Sequence, residues 1–193
     1  YWYSVLYERV GVPLLLFDTP FNYTEGPRPN DHAYMVRQLK EMIPVLERLS
    51  GRAFRGEKLQ EVLRLSKETA ETWGAVLATM KARPAPMTIF DAFVHLAPVV
   101  SLRGLPVALA YYRSLLSELR QRIEQRQGGV RTERFRLLWD NIAVWPKVRE
   151  FASVFAGRTM NFVTATYTNA WAETAPLMQA NDPFEAMADA YSR

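Results

Sequence analysis

The segment that most constrains the fold of this chain is 131–151, with the sequence RTERFRLLWDNIAVWPKVREF. It predicts a short apolar strand, a polar loop around Asp140-Asn141, and a helix opened by Pro146, because proline suits a first helical position. Polar residues between a strand and the following helix are where open α/β sheets bind ligands. The segment therefore marks a candidate ligand site. A buried pair of tryptophans beside a solvated loop would give the same pattern.

Two further stretches predict strands, and a helical region lies between them. Val12–Phe17 is a continuous apolar run, typical of a parallel strand covered on both faces. Thr159–Tyr167 is rich in β-branched residues. We therefore predict an α/β fold with a parallel sheet flanked by helices and a helical insertion, as part of a larger multi-domain subunit. The predicted division is the start of the α/β layer at 1–21, a loop and helical subdomain at 22–130, and a return to the α/β layer at 131–193.

Local signals predict the boundaries of individual elements. Asp31 is expected to cap a helix over 32–50, Gly51 to end it, and Pro44 to kink or divide it. Thr88 with Asp91 three residues later resembles a capping box. The other predictions are a helix tail over 2–9, a helix over 57–82, helices from Ile89 and Pro106, a loop over 169–181 and a last helix opened by Asp182-Pro183.

Composition excludes several kinds of site. The sequence contains no cysteine, so these residues form neither a disulfide nor a cysteine-ligated metal site. His32 and His95 lie far apart in sequence; we expect His32 to be solvated and His95 to be a satisfied helix histidine. No metal ligands are therefore predicted. The phosphate-loop pattern GxxxxGK[ST], the dinucleotide pattern GxGxxG and the GxSxG nucleophile pattern are all absent.

The charge pattern and the apolar runs exclude two classes of partner. The formal net charge of +4 is spread along the chain, whereas nucleic-acid binding usually needs a basic face that neutralises several phosphates. No apolar run approaches the roughly 18–20 residues of a membrane span. We therefore predict no nucleic-acid and no membrane partner. Both ends of the chain fall within helical patterns, from which we expect a fragment of a longer protein.

Arginines near the predicted loops suggest a phosphorylated ligand. Arg103 precedes the long helix from Pro106, Arg134 precedes the predicted strand Phe135–Trp139 of the 131–151 segment, and Arg136 lies within that strand. Arginine offers paired donors to phosphate groups, so a ligand such as coenzyme A could use them. The alternative is that they are surface arginines paired with carboxylates such as Glu118 or Glu133.

Several segments in this order resemble one family. The run ERFRLLWDNIAVWPKVREFASVFA at 133–156 is similar to the middle of the 2-hydroxyacyl-CoA dehydratase family, and most similar there to subunits of the ATP-dependent benzoyl-CoA reductases. The supporting pieces are GVPLLLFDTPFNY (11–23), HAYMVRQLKEMIPVLERLSGR (32–52), PAPMTIFDAF (84–93), RGLPVALAYYRSLLSEL (103–119) and FVTATYTNAWAE (162–173).

The resemblance implies an oxidoreductase or a dehydratase of the cytoplasm that acts on an acyl-CoA thioester. It implies a [4Fe–4S] cluster held by cysteines in the parent enzyme, a homologous partner subunit, and an ATP-dependent iron–sulfur activator that delivers electrons. Some family members carry a cysteine just after the strand that corresponds to Thr159–Tyr167; here the sequence is Tyr167-Thr168-Asn169. Because cluster irons need thiolates, we expect this chain alone to be inactive.

Two functions stay open at this point. The first is a fragment of a benzoyl-CoA-reductase-like or dehydratase-like subunit that binds an acyl-CoA; the second is a cluster-less, non-catalytic module that binds an acyl-CoA or a protein partner. In either case arginines would bind the CoA phosphates, Trp139 and Asn141 would line the acyl pocket, and part of loop 18–31 would cover the thioester. The candidate binding residues are Arg103, Arg134, Arg136, Trp139, Asn141, Phe21, Asn22 and Tyr23.

Overall fold

The predicted parallel sheet is present in the computed structural model, which describes residues 2–21, 28–178 and 181–191. Strand β1 (Phe135–Trp139) pairs in parallel with β2 (Met160–Ala165), aligning Phe135 with Met160 and Trp139 with Ala165. The register has one irregularity, between Leu137 and Leu138. Helices surround this two-stranded sheet, which confirms the α/β fold class.

The chain divides into two units, one of Tyr1–Gly56 with Gln179–Arg193 and one of Glu57–Met178. The first unit contains helices α1 (Trp2–Val10) and α2 (Pro29–Ser50), and also the last helix of the chain. The second contains the sheet and helices α3 (Gly56–Ala78), α4 (Ile89–His95), α5 (Ala97–Ser101), α6 (Pro106–Glu124), α7 (Val148–Gly157) and α8 (Thr166–Glu173). The last helix is α9 (Pro183–Tyr191). The predicted boundaries at 21 and 130 stay a prediction.

Aromatic side chains join the helices to the sheet in the second unit. Trp73 of α3, Phe93 of α4 and Tyr112 of α6 are almost completely buried. Phe90 stacks on Phe155 of α7, and the Phe155 ring meets Phe162 of β2 edge-on. Each such side chain contributes roughly 1.5–3 kcal/mol by burial, so this cluster fixes where α4 and α7 lie against the strands.

In the first unit, α2 packs against α9. Met35 and Val36 of α2 and Ala188 of α9 form the small buried core, and Phe17 and Phe184 pack against it. Among the helices in the described ranges, none combines the length and apolar character needed to cross a bilayer.

Most predicted boundaries are confirmed. Gly51 ends α2 with a φ of 66°, in the left-handed region that suits glycine. Thr88 and Asp91 form the predicted capping box of α4. The Asp182 carboxylate accepts hydrogen bonds from the backbone N–H groups of Phe184 and Glu185 and so caps α9.

The predicted strand at Val12–Phe17 is wrong. These residues have no regular secondary structure, and Leu16 is 65% exposed. A continuous apolar run forms a strand only beside another strand, and in the described part of the chain the sheet consists of β1 and β2 alone. The segment is instead held to α2, where the Gln38 side chain accepts a hydrogen bond from the backbone N–H of Asp18 and donates one to its carbonyl.

Two smaller predictions also fail, and a third fails in part. α2 begins at Pro29, so Asp31 lies in its first turn and pairs with Arg28 at 4.0 Å instead of capping the helix. Pro44 does not divide α2, which continues to Ser50; the alternative, a kink at Pro44, stays a prediction. The predicted loop over 169–181 is helical up to Glu173, because β2 ends at Ala165 and α8 spans Thr166–Glu173.

Candidate functional site at the carboxyl edge of the sheet

The carboxyl ends of β1 and β2 are tied together by hydrogen bonds. Asp140 follows β1 and Thr166 follows β2, and the Thr166 hydroxyl donates to Asp140 Oδ1 at 3.0 Å. The backbone N–H of Asn141 donates to Asp140 Oδ1 and to Thr166 Oγ1, each at 2.9 Å. Because parallel strands end at one edge, these three residues form one exposed polar corner of the sheet.

Asn141 turns the chain sharply at this corner. Its φ is 74°, a left-handed conformation that asparagine tolerates better than most residues. Its side-chain Oδ1 accepts a hydrogen bond of 2.8 Å from the backbone N–H of Ile142, while the residue itself stays exposed. An exposed amide therefore lies at the strand end, as the sequence predicts.

Trp139 forms the wall between this corner and the aromatic core. Its ring meets Phe90 and Phe162 edge-on, with centroids 5.6 and 5.4 Å away. Its indole Nε1 donates to the carbonyl oxygen of Ile142 at 3.1 Å, which holds the loop over the strand end. The ring is half-buried, so its first role is packing, and its role in an acyl pocket stays a prediction.

The loop after Asn141 presents apolar side chains to solvent. Ile142 and Trp145 are each at least half-exposed, and the Trp145 ring packs edge-on against Phe93 at 6.2 Å. Large exposed apolar groups in a cluster mark a ligand or partner surface more often than scattered ones do. The edge of the sheet thus combines a polar corner with an apolar rim.

Arg103 is connected to this edge through α8. Its guanidinium lies 5.8 Å from the centre of the Trp171 ring, and Nη1 donates to Thr174 Oγ1 at 3.5 Å. α8 begins at the polar corner and its eight residues span roughly 12 Å. Arg103 forms no ion pair with a carboxylate among the described residues, which leaves its charge available to an anion.

Arg136 is committed to the interior of the protein. Its guanidinium donates to the carbonyl oxygens of Met80 and Ala82 and pairs with Glu133. The Glu133 side chain is only 5% exposed. This arrangement favours the alternative considered for the arginines, a structural ion pair, for this one residue.

The environment of Glu133 shifts its titration. Burial raises the pKa of the Glu133 carboxyl. Hydrogen bonds from Asn161, from Arg136 and from the backbone N–H of Ala85 lower the pKa and outweigh burial, so that the Glu133 pKa lies below its ordinary value. The carboxylate thus holds the chain around Ala85 to the strands.

Arg134 does not lie at this corner. Arg134 precedes β1 at the amino end of the sheet and is exposed, with its guanidinium 6.0 Å from the Phe135 ring centre. Phe21 belongs to the other unit and is 83% exposed. Asn22 and Tyr23 lie outside the described residues. Of the eight candidates, Trp139 and Asn141 lie together, and Arg103 lies one short helix away.

The two histidines differ in their surroundings. His32 was expected to be solvated, but it is only 25% exposed and lies between Asp189 (3.0 Å) and Glu185 (3.3 Å), which join α2 to α9. The prediction failed because a single sequence does not reveal that α9 packs here. His95 is a helix histidine, as predicted; its Nδ1 is 2.6 Å from the Tyr111 hydroxyl, and burial lowers the pKa of its imidazole.

The residues present do not fit an iron–sulfur cluster. The 193 residues include no cysteine, and in the described ranges no three His, Asp or Glu side chains converge as a metal site. Within Tyr167-Thr168-Asn169, the run where the resemblance implies a cysteine in some family members, Thr168 is fully buried and its hydroxyl donates to the carbonyl of Ala165. That side chain supports the first turn of α8 and faces no open site.

Sequence reasoning missed Thr166. The β-branched composition placed it inside a strand, whereas it is the first residue of α8 and the partner of Asp140. Its position beside Asp140 depends on where β2 ends and on the register of the two strands, in which Trp139 is aligned with Ala165.

Comparison with known proteins gives a match along the whole sequence. Residues 1–193 match the family model described as 2-hydroxyglutaryl-CoA dehydratase, D-component. The chain is 28% identical over 193 residues to the (R)-2-hydroxyisocaproyl-CoA dehydratase alpha subunit of Clostridioides difficile, covering 99% of this chain and 46% of that protein.

Two further relatives extend the range of reactions. The (R)-phenyllactyl-CoA dehydratase alpha subunit of Clostridium sporogenes is 29% identical over 172 residues, covering 88% of this chain and 42% of that protein. One of the benzoyl-CoA reductase subunits of Thauera aromatica is 28% identical over 199 residues, covering 97% of this chain and 46% of that protein. The chain spans less than half the length of each of these relatives.

Proposed function

Because this chain belongs to the 2-hydroxyglutaryl-CoA dehydratase D-component family, we propose that it is the acyl-CoA-binding α/β part of a dehydratase or benzoyl-CoA-reductase-like subunit. The observation that carries the proposal is the family match over all 193 residues. The relatives are named as subunits of enzymes for different acyl-CoA thioesters, so the thioester is the shared substrate feature. The reaction would be reduction rather than dehydration of the acyl-CoA, because the run at 133–156 is most similar to benzoyl-CoA reductase subunits.

The full-length subunit would act with a homologous partner subunit and an ATP-dependent iron–sulfur activator. A [4Fe–4S] cluster would supply low-potential electrons to the thioester, with its thiolates coming from outside these 193 residues. The part of these residues is then to bind and orient the acyl-CoA. Placement of this kind lowers barriers by holding the reacting groups in a fixed geometry.

We assign the polar corner to the acyl end of the substrate. The exposed amide of Asn141 can donate to the thioester carbonyl oxygen, and the rim of Ile142 and Trp145 offers apolar contact to the acyl group. Arg103 would bind a CoA phosphate, since its charge has no carboxylate partner among the described residues and arginine binds phosphate through paired donors. Trp139 would support the corner through the hydrogen bond from its indole Nε1 to the carbonyl oxygen of Ile142.

Titration calorimetry on the full-length subunit with its partner tests these roles. Arg103→Gln should weaken binding of both free CoA and benzoyl-CoA by about tenfold, the loss expected for one charge-assisted contact. The matched control is Arg120→Gln, which removes a charge from the exposed face of α6 and should leave both affinities unchanged. Equal affinities for the Arg103 variant and the wild type would remove Arg103 from the site.

A second candidate function is a cluster-less module that binds an acyl-CoA or a protein partner without catalysis. It is favoured by the absence of cysteine from these residues, including the run Tyr167-Thr168-Asn169, where the resemblance implies a cysteine in some family members. Iron and sulfide analysis of the anaerobically purified full-length complex separates the two. Iron together with acyl-CoA turnover supports the enzyme subunit, whereas acyl-CoA binding without iron supports the module.

A further inference from the structure

The polar corner carries a single formal charge, the carboxylate of Asp140. The other two residues of the corner, Asn141 and Thr166, are uncharged. Asp140 is exposed, and its Oδ1 accepts hydrogen bonds from the Thr166 hydroxyl at 3.0 Å and from the backbone N–H of Asn141 at 2.9 Å. Neither donor is a cation, and among the described residues no lysine, arginine or histidine forms an ion pair with this carboxylate. The corner therefore presents a negative charge to any ligand that enters it.

The cations that follow the corner in sequence do not compensate this charge. Lys147 is engaged elsewhere, since its Nζ lies 2.6 Å from Oε2 of Glu150. Arg149 is exposed on α7, two positions before Phe151, whose ring centroid lies 5.8 Å from that of Trp139. Positions two apart on a helix lie on different faces, so Arg149 faces away from Trp139 and from the corner beside it. The corner thus has a carboxylate without a countercharge from the described residues.

The rim beside the corner is apolar and is held in place. Val144 extends the rim of Ile142 and Trp145, and the three side chains are 44%, 53% and 50% exposed, respectively. Ala143, within the same loop, is buried, and the Trp145 ring packs against Phe93. These anchors hold the loop, so the apolar surface exists before a ligand binds and little ordering is needed on binding. An apolar group gains from burial against this rim, whereas a carboxylate placed on it would lose hydration without gaining a paired cation.

We propose that Asp140 sets the acyl specificity of the site: acyl groups with an apolar end are accepted, and acyl groups that carry a second carboxylate are rejected. This inference rests on the proposed function, in which the Asn141 amide binds the thioester carbonyl and the acyl chain therefore starts beside Asp140. A second carboxylate on a five-carbon chain would stay within the screening length of about 8 Å, so the two negative charges would repel each other. Repulsion of the wrong acyl group thus adds to the attraction of the rim for the right one. The 2-hydroxyglutaryl group in the family's description carries such a carboxylate, so the family match alone would favour the opposite preference.

Two thioesters of equal chain length isolate the effect of the charge. Pentanoyl-CoA and glutaryl-CoA both carry five-carbon acyl groups, which end in a methyl group and in a carboxylate, respectively. Titration calorimetry on the full-length subunit with its partner should show about tenfold tighter binding of pentanoyl-CoA than of glutaryl-CoA. This difference in affinity should shrink between about 0.1 M and about 1 M salt, because the screening length falls from about 10 Å to about 3 Å.

Asp140→Asn removes the charge and keeps the shape of the side chain. The amide oxygen can still accept hydrogen bonds from Thr166 and from the backbone of Asn141, so the turn should persist. We expect glutaryl-CoA to bind about tenfold more tightly to this variant, and the affinity for pentanoyl-CoA to change by less than about twofold. The matched control is Glu124→Gln, which neutralises an exposed carboxylate at the end of α6 and should change neither affinity. A residue that only supported the turn would shift both affinities alike and would show no dependence on salt.

Free CoA, which lacks an acyl group, separates failure of the acyl site from failure of the selection. Tighter binding of pentanoyl-CoA than of glutaryl-CoA, with a smaller difference in Asp140→Asn, supports the proposal. If both thioesters bind more tightly than free CoA but glutaryl-CoA binds at least as well as pentanoyl-CoA, the acyl site stands and selection by Asp140 is overturned. The same holds if Asp140→Asn shifts both affinities by one factor. If neither thioester binds more tightly than free CoA, the acyl site itself is wrong, and the selection falls with it.

Discussion

The indole Nε1 of Trp73 donates a hydrogen bond of 3.0 Å to the carbonyl oxygen of Thr168. This contact joins α3, in the helical insertion, to α8, which begins at the carboxyl edge of the sheet. Trp73 is fully buried, and its ring lies 5.1 Å from that of Tyr112 on α6. One side chain therefore connects the insertion to the helix that positions both Thr166 and the partners of Arg103.

Replacing Trp73 with phenylalanine should destabilise the protein. The substitution removes the hydrogen bond to Thr168 and leaves a gap in the core, for which we expect a loss of about 2 kcal/mol in the free energy of unfolding. Urea unfolding followed by far-UV circular dichroism measures it. Trp2→Phe is the matched control, because Trp2 is 78% exposed on α1. If both variants unfold like the wild type, Trp73 does not tie the two helices together.

The buried Glu133 carboxylate makes part of the stability dependent on pH. Its pKa is lowered in the folded state, so its contribution is complete above the ordinary glutamate value of about 4.3 and is lost as the pH falls through the lower folded value. Glu133→Gln should cost about 2 kcal/mol at pH 7. The difference from the wild type should shrink as the pH falls through the lowered folded pKa of Glu133, where the wild-type carboxyl becomes neutral.

Unfolding midpoints of the two proteins between about pH 3 and pH 7 check this convergence. Glu118→Gln is the control, since Glu118 pairs with Arg122 on the surface of α6 and an exposed pair of this kind contributes little. If the unfolding midpoints of the wild type and Glu133→Gln differed by the same amount at every pH, the glutamine would act through packing and not through the lost charge.

Local patterns predicted the local parts of this fold. The strand at Phe135–Trp139, the capping box at Thr88 and Asp91 and the αL end of α2 depend on residues close together in sequence, and all three are confirmed. The failures depend on distant residues. Val12–Phe17 has the composition of a strand but no strand beside it among the described residues, and His32 is half-buried only because α9, far along the chain, covers it.

The same distinction between local and distant residues holds for the candidate site. Asn141 follows from the rule that ligands bind after the carboxyl ends of strands. Its partner Thr166 depends on where β2 ends, which composition placed two residues too late. The ion pair of Arg136 with Glu133 needed only a spacing of three residues, but its burial depends on the chain around Met80 and Ala82. Sequence alone could therefore offer Arg136 equally well as a phosphate ligand.

Gly129 should tolerate no side chain. A Cβ at this position would lie 2.4 Å from the carbonyl carbon of Met87, and backbone atoms cannot move aside cheaply. The backbone N–H of Gly129 also donates to the Ala85 carbonyl at 2.8 Å, which fixes the close approach. Gly129→Ala should destabilise the protein by about 3 kcal/mol.

The matched control for Gly129 is Gly157→Ala. Apart from the adjacent residues and the backbone of α7 itself, no atom of the described residues lies within 4 Å of the place that a Cβ of residue 157 would occupy. Gly157→Ala should also stabilise the last turn of α7 by about 0.5–1 kcal/mol, because alanine loses less backbone entropy than glycine on folding. Thermal unfolding midpoints of the two variants should therefore move in opposite directions. A Gly129→Ala midpoint at or above that of the wild type would show that the chain around Met87 gives way easily.

Two substitutions at Asn141 separate backbone geometry from side-chain chemistry. Glycine accepts the φ of 74° freely, whereas alanine should be strained by about 1–2 kcal/mol, so Asn141→Ala should be less stable than Asn141→Gly by that amount. Both variants lack the amide. If the amide binds the thioester as proposed, both should weaken benzoyl-CoA binding by about tenfold, the loss of one hydrogen bond, and leave free CoA binding unchanged. Weakened binding in the alanine variant alone would instead show that the turn, and not the amide, shapes the site, because only the strained backbone distinguishes the two proteins.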